Sequence, residues 1–468
     1  MKLKVGMALT PVTLRELADI VGALSTQGDE HTLVTGVCVD NREIGQGDAF
    51  VAFVGERVDG HNFIDQAFDC GASVAIVSKP VKAGVGPVVQ VGSPLEAIQR
   101  LATHERSGFA GPVIGITGSN GKTSTKEMVA AVLGQLGDCL YTQANRNNEL
   151  GLPLTILQRT PKHRSIVLEM GMRGFGQISD LCEIARPTIG VITNIGHSHI
   201  EILGSQEGIA KAKAELLESL GSDGTAILNV DDPWLRKVAT LSKAPVLWYG
   251  LSPSADVYAT HVEWGKEGMA FTVHVQGKSQ RVTLPTFGMH NVQNALAAVA
   301  AGTAVGLSLA QIADGLASLQ PLSGRLRLLD APREVTVIDD CYNASPLSMG
   351  ASLQVLAQLA APGRRVAILG DMYELGDYTE EGHRQVGALA AKAGVDTLIC
   401  IGPAATWIAE EANSQRLPEV HHVSSVEQAI ARCSEWVRAG STVLVKASRG
   451  MQLERVVNHL LTGTTEQK

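Results

Sequence analysis

Short apolar runs alternate with helical segments through most of this chain, and that alternation restricts its fold more than any other feature. The runs lie at 49–54, 73–77 and 88–91, then at 113–117, 165–169, 190–193 and 225–228, and finally at 335–338, 366–369, 397–401 and 443–445. Parallel strands need a crossover, usually a helix, so the rhythm predicts an α/β protein with mainly parallel, doubly wound sheets. Sites in such sheets lie beyond the carboxyl ends of the strands, often between domains. Residues 258–284 depart from the rhythm, alternating and turning like antiparallel sheet, and 290–305 reads as a helix. Near the start, Thr13 and Glu16 form a capping box for a helix with Leu14, Leu17, Ala18, Val21 and Leu24 on one face.

At 468 residues the chain exceeds what one hydrophobic core serves. The linker-like Ser107-Gly108-Phe109-Ala110-Gly111-Pro112 and the stretch Leu322-Ser323-Gly324 divide it into 1–108, 109–322 and 323–468. The net charge of −8 argues against a general nucleic-acid binder and requires any anionic substrate to be held by a local site. Seven scattered cysteines without a CxxC pair suit a reducing compartment better than a disulfide framework. No run approaches the roughly 18 apolar residues of a membrane span, so a cytoplasmic protein not embedded in membrane is expected.

Gly115-Ile116-Thr117-Gly118-Ser119-Asn120-Gly121-Lys122-Thr123-Ser124 follows an apolar strand and precedes a helix-forming run. In that setting backbone N–H groups and a helix N-terminus can cradle a triphosphate, with Lys122 at the β/γ-phosphates and the Thr123 hydroxyl on Mg²⁺. The glycines are displaced from GxxxxGKT, and a glycine-rich turn with a chance Lys-Thr gives the same string. Glu169 ends a buried strand, where a carboxylate suits Mg²⁺ beside a phosphate loop or is a surface group. In the helix at 207–220, Glu207, Lys211, Glu215 and Glu218 share a solvated face with i,i+4 charge pairs. Lys213 falls on the opposite, apolar face with Ile209, Leu216, Leu217 and Leu220. It either snorkels to water or has its amine modified or set at an anionic metal site. His197 and His199 follow a strand, where a loop can turn them to a metal or use them in capping.

With these motifs in this order, the sequence resembles the Mur ligase family from about Asp40 to Glu454. The family's TGSxGKT loop accounts for the displaced glycine. The stretches Asn145-Arg146-Asn147-Asn148-Glu149-Leu150-Gly151-Leu152-Pro153, Asp339-Asp340-Cys341-Tyr342-Asn343-Ala344-Ser345-Pro346 and Leu369-Gly370-Asp371-Met372-Tyr373-Glu374-Leu375-Gly376 are most similar to the branch that adds D-alanyl-D-alanine. Ala144 stands where Gly is common, Ser345 where Asn is usual, and Asn41 where Ser is common.

The resemblance implies a small N-terminal α/β domain, a central phosphate-loop-type domain with a mainly parallel sheet, and a C-terminal Rossmann-like doubly wound domain. It implies ATP-dependent ligation of D-alanyl-D-alanine to UDP-N-acetylmuramoyl-tripeptide through an acyl phosphate, for peptidoglycan synthesis. ATP would meet residues 117–124 (Thr117, Gly118, Ser119, Asn120, Gly121, Lys122, Thr123 and Ser124), Asn291 and Asn294 near adenine, and Arg325 and Asp340 when the domains close. Mg²⁺ would be held by Thr123, Glu169 and His199, and the carbamate of a carbamylated Lys213 would help hold a second Mg²⁺. Lys122, Glu169, His199 and Lys213 would form the catalytic set. Asn41, Arg42 and His61 would meet the uridine nucleotide, and Asn145, Asn147, Asn148, Tyr342 and Asn343 other substrate groups. Lys446-Ala447-Ser448-Arg449 resembles the C-terminal signature. The chain is expected to act as a monomer. The alternative is another member of the superfamily, a diamino-acid-adding ligase or a folylpolyglutamate synthase.

Overall fold

The computed structural model describes residues 7–82, 84–198, 200–265, 267–359 and 363–463. Three sheets follow one another along the chain, each in its own α/β domain. The first has six strands in the spatial order Met7–Thr13, Leu33–Cys38, Asp48–Val51, Val74–Val77, Val88–Gln90 and Ser25–Gln27. The second has nine strands: Lys278–Leu284, Met269–Val275, Val257–Trp264, Val246–Gly250, Thr225–Asn229, Ile189–Ile192, Val113–Thr117, Ser165–Glu169 and Cys139–Tyr141. The third has six: Arg327–Ala331, Val335–Asp339, Thr442–Lys446, Arg365–Gly370, Thr397–Ile401 and Glu419–Val423.

The inner strands pair in parallel, and every residue of Val113–Thr117, Ser165–Glu169, Thr397–Ile401 and Thr442–Lys446 is buried. Burial on both faces is why these strands read as continuous apolar runs. Antiparallel pairing is confined to sheet margins. The hairpins joining Val257–Trp264, Met269–Val275 and Lys278–Leu284 alternate buried with partly exposed residues in the middle strand, as the pattern at 258–284 predicts.

Several edge strands escape the sequence reading. Met7–Thr13 contains Pro11, which lacks a ladder donor, and its register with Leu33–Cys38 shifts between Ala8 and Val12. Arg327–Ala331 has no fully buried residue and so no apolar run. The first helix spans Leu14–Val21 with the expected Thr13–Glu16 capping box, but it stops before Leu24, which is 70% exposed.

In the central sheet the chain leaves Val113–Thr117 toward Cys139–Tyr141 and Ser165–Glu169 on one side, then crosses to Ile189–Ile192 and Thr225–Asn229 on the other. That reversal opens a crevice at the carboxyl end of Val113–Thr117. The helix Lys122–Leu133 leaves from this point and packs against the Ala-rich helix Met289–Ala304.

Candidate active site

The turn between Val113–Thr117 and Lys122–Leu133 needs glycine at two places. Gly118 has φ 149°, and a Cβ there would lie 1.9 Å from Thr193 Oγ1. Gly121 has φ 79°, and a Cβ there would lie 2.6 Å from Asn294 Oδ1. The loop is thus pressed against its neighbours while its outer edge faces a cleft of about 430 Å³. A cleft of this size suits a small-molecule ligand.

The floor of the cleft comes from the central domain. Ser119, Asn120, Gly121, Lys122, Thr123 and Ser124 line it, with Glu169 and Asn147 beside them and Asn291 and Asn294 along one wall. Thr117 and Gly118 lie beneath the lining, and the Gly118 carbonyl accepts a hydrogen bond from Lys122 Nζ at 2.7 Å. Burial pushes the Lys122 amine below its usual range, opposed by Glu169 and reinforced by Arg325. Thr123 Oγ1 donates to Glu169 Oε2 at 2.9 Å, and Asn147 Nδ2 donates to Glu169 Oε1 at 2.8 Å. Asn294 Nδ2 donates to Asn291 Oδ1 at 3.1 Å, while Asn291 Nδ2 donates to the Phe287 carbonyl at 2.8 Å.

The other wall belongs to the C-terminal domain. Arg325, Asp340, Tyr342, Asn343 and Lys446 face the loop. Asp340 is locked in place, with Oδ2 accepting from Lys446 Nζ at 2.6 Å and from Ser352 Oγ at 2.5 Å. The Arg325 guanidinium stacks 4.3 Å from the centre of the Tyr342 ring and donates to Thr123 Oγ1 at 3.0 Å. Ser345 Oγ donates to Asn120 Oδ1 at 2.9 Å, a second tie across the cleft. His197 stacks on Tyr378 at 4.8 Å, so its ring makes a contact between the two domains. His199 lies outside the described residues.

Lys213 does not line the cleft. It is 2% exposed on Gln206–Glu218, with no hydrogen-bond or ion-pair partner described for its amine. Burial, with repulsion from Lys122, pushes that amine well below the usual lysine range. On the opposite face Lys211 pairs with Glu207 at 2.8 Å, as the spacing predicts. Glu215 departs from the prediction. Its two oxygens accept from Gly176 N at 2.7 Å and Ser179 N at 3.1 Å, which caps the helix Gln177–Ala185 instead of pairing with lysine.

The remaining predicted residues lie elsewhere. Asn145 is exposed in a turn, and Asn148 Oδ1 accepts from Gly151 N at 2.9 Å to start a short helix. In the N-terminal domain Asn41 Nδ2 donates to Gln66 Oε1 at 2.9 Å, and Arg42 pairs with Asp40, whose pKa falls to about 2 through those hydrogen bonds. His61 accepts at Nε2 from Ser78 N at 3.1 Å and pairs through Nδ1 with Asp59 at 2.6 Å. None of these five lines the cleft.

Family models match in chain order. The Mur ligase family catalytic domain matches residues 33–106, the Mur ligase middle domain 116–302, and the Mur ligase glutamate ligase domain 324–449. A UDP-N-acetylmuramoyl-tripeptide–D-alanyl-D-alanine ligase of Bacillus subtilis is 38% identical over 453 residues, covering 96% of this chain and 98% of its own. The chain belongs to the Mur ligase family. A crystal structure of MurF from Acinetobacter baumannii superposes on this Mur ligase with a TM-score of 0.88 at 32% identity, over 97% of this chain and all of the other. A MurF ligase from Thermotoga maritima, crystallised in complex with ADP, gives 0.80 at 29% identity over 91% and 97% of the two chains.

The structure of this Mur ligase also adds residues that the sequence reading passed over. Thr142 is fully buried, and its Oγ1 accepts the Glu169 N–H at 3.0 Å. Lys126, 1% exposed, donates to the Thr142 carbonyl at 2.6 Å. The signal for Lys126 was present, since it shares a helical face with Val129, Ala130 and Leu133 just as Lys213 shares one with leucines.

Proposed function

We propose that this cleft transfers the γ-phosphoryl group of ATP to a carboxylate, making the chain the ligase that joins D-alanyl-D-alanine to UDP-N-acetylmuramoyl-tripeptide. The observation that carries this reading is the convergence of Lys122, Thr123 and Glu169 from one domain with Arg325 and Asp340 from another across a single cleft. Phosphoryl transfer asks for positioning and charge neutralisation, and that pairing supplies both. The relatives described above carry the name of the D-alanyl-D-alanine-adding enzyme, which separates this reading from a diamino-acid-adding ligase or a folylpolyglutamate synthase.

Residues 1–108 hold the UDP end through Asn41, Arg42 and His61, residues 109–322 bind ATP, and residues 323–468 bring in the dipeptide. The loop backbone cradles the phosphates, Lys122 swings from the Gly118 carbonyl onto the β/γ-phosphates, and Asn291 and Asn294 flank adenine. Mg²⁺ fits the oxygen-rich end of the loop, because the Thr123 hydroxyl and Glu169 carboxylate converge there and this cation takes one or two protein oxygens beside phosphate and water. Its chemistry would be to neutralise charge on the transferring phosphoryl group. The buried Lys213 has a reason to lose its proton, and a neutral amine can take up CO₂ to give a carbamate whose oxygens would help hold a second Mg²⁺; His199 would be a further Mg²⁺ ligand.

The terminal carboxylate oxygen of the tripeptide attacks the γ-phosphorus, the bond to the β-bridging oxygen breaks, and ADP leaves. The resulting acyl phosphate is attacked at its carbonyl carbon by the dipeptide amine. The tetrahedral intermediate expels phosphate, the amine gives up a proton, and an amide remains. Arg325 and Tyr342 close over the loop and exclude water, which would otherwise hydrolyse the acyl phosphate. The enzyme works as a cytoplasmic monomer. The test is phosphate release from ATP with the UDP-tripeptide and D-alanyl-D-alanine added separately and together. Release that needs both, with ligated product by mass, is expected; release indifferent to either substrate would sink the reading.

A further inference from the structure

The buried Lys126 bears on how Glu169 is held. A lysine taken out of water is costly unless its donors are matched. Here Nζ donates to the Thr142 carbonyl at 2.6 Å, pairs with Glu127 at 2.6 Å and lies 5.4 Å from the centre of the Tyr141 ring. Thr142 directly follows the strand Cys139–Tyr141 and extends its pairing, with its N–H donating to the Val167 carbonyl at 3.0 Å. The Thr142 hydroxyl then accepts the Glu169 N–H, a buried donor that needs a partner where the ladder ends.

Two arms of one helix therefore reach Glu169 from its two ends. Thr123 touches the carboxylate directly, and Lys126, one turn further on, reaches the Glu169 backbone N–H through Thr142. We propose that Lys126 and Thr142 are positioning residues that fix the Glu169 carboxylate at the mouth of the phosphate loop, so that loop, helix and carboxylate form one rigid unit. The inference rests on the reading of Glu169 as the carboxylate that meets the Mg²⁺-nucleotide.

Thr142→Val keeps the side-chain shape and removes the acceptor. Its kcat is expected to fall about tenfold to a hundredfold, the scale of a small misplacement of a reacting group. The Mg²⁺ concentration that half-saturates binding of a fluorescent ADP analogue is expected to rise several-fold. Calorimetric affinity for the UDP-tripeptide stays unchanged, and Thr142→Ser, which restores the hydroxyl, recovers both losses to within about twofold. In a Glu169→Gln background Thr142→Val adds nothing further, because the two act through one group. Wild-type Mg²⁺ dependence in Thr142→Val, or an equal loss with and without Glu169, overturns the proposal. If Glu169→Gln alone leaves the Mg²⁺ dependence unmoved, the reading of Glu169 fails and the positioning role goes with it. Should Thr142→Val not melt cooperatively, Lys126→Met decides by the same measurements.

Discussion

Arg325 and Thr123 lie 202 positions apart in sequence, yet the Arg325 guanidinium donates to the Thr123 hydroxyl at 3.0 Å. The same hydroxyl donates to Glu169, so a charge from the C-terminal domain reaches the first turn of the phosphate-loop helix. Arg325→Ala removes that charge from the cleft, where the proposed mechanism sets it against the transferring phosphoryl group, and leaves Asn41, Arg42 and His61, the proposed UDP contacts, untouched. Turnover is expected to fall about a hundredfold to a thousandfold, the usual scale for losing one donor to a developing anion. Phosphate release measures the loss, and calorimetry with the UDP-tripeptide should give wild-type affinity. Normal turnover in this variant would remove Arg325 from the site.

Lys213 carries the second prediction. An amine this buried is held neutral more readily than an exposed lysine, and only the neutral form adds CO₂. Intact-mass analysis of native protein should show one added CO₂, absent from Lys213→Ala. Activity of the wild type should drop when bicarbonate is stripped from the buffer and return when it is restored. Lys213→Ala should lose nearly all ligation and show no bicarbonate response. Full activity in carbonate-free buffer, with no added mass, would leave Lys213 a buried structural lysine.

How far the sequence reveals this site depends on the distance over which each contact acts. Local patterns were readable: the apolar face beneath Lys213, the Lys211–Glu207 pair, and the strand–loop–helix around Lys122 all rest on neighbours within a turn or two. Contacts between distant segments were not. Lys446 and Asp340 are 106 positions apart, Ser345 and Asn120 225, and no periodicity brings either pair together. Ser345, noted only as a replacement for Asn, proves to tie the C-terminal domain to the phosphate loop. Edge strands such as Arg327–Ala331 were missed for a different reason, since a strand with one open side need not be apolar.

Ala144, the other replacement, can be tested directly. Its φ is 52°, in the left-handed region where a Cβ crowds the backbone. Ala144→Gly removes that strain and adds some unfolded-state entropy, for a net gain of about 0.5–1 kcal/mol. Differential scanning calorimetry should show the melting temperature rising slightly. An unchanged or lower melting temperature would mean the turn is not strained at this residue.

His290 sets a pH dependence of stability. It lies in the first turn of Met289–Ala304 and lines the cleft, where burial pushes its pKa down to about 4; Asp340 pulls it up and Lys446 presses it further down. The unfolded chain holds this imidazole near its ordinary value of 6.5. Above that pH both states are neutral, and its contribution to stability is complete. As pH falls from 6.5 through 4 the unfolded state binds the proton first, so stability drops by about 3 kcal/mol and then levels off for this group below pH 4. His290→Gln cannot titrate, so its unfolding free energy in urea should fall less than that of the wild type across that window. Other groups titrate there too, which is why the difference between the two proteins, rather than either curve alone, is the quantity to measure. Parallel curves would mean that His290 is as easily protonated folded as unfolded.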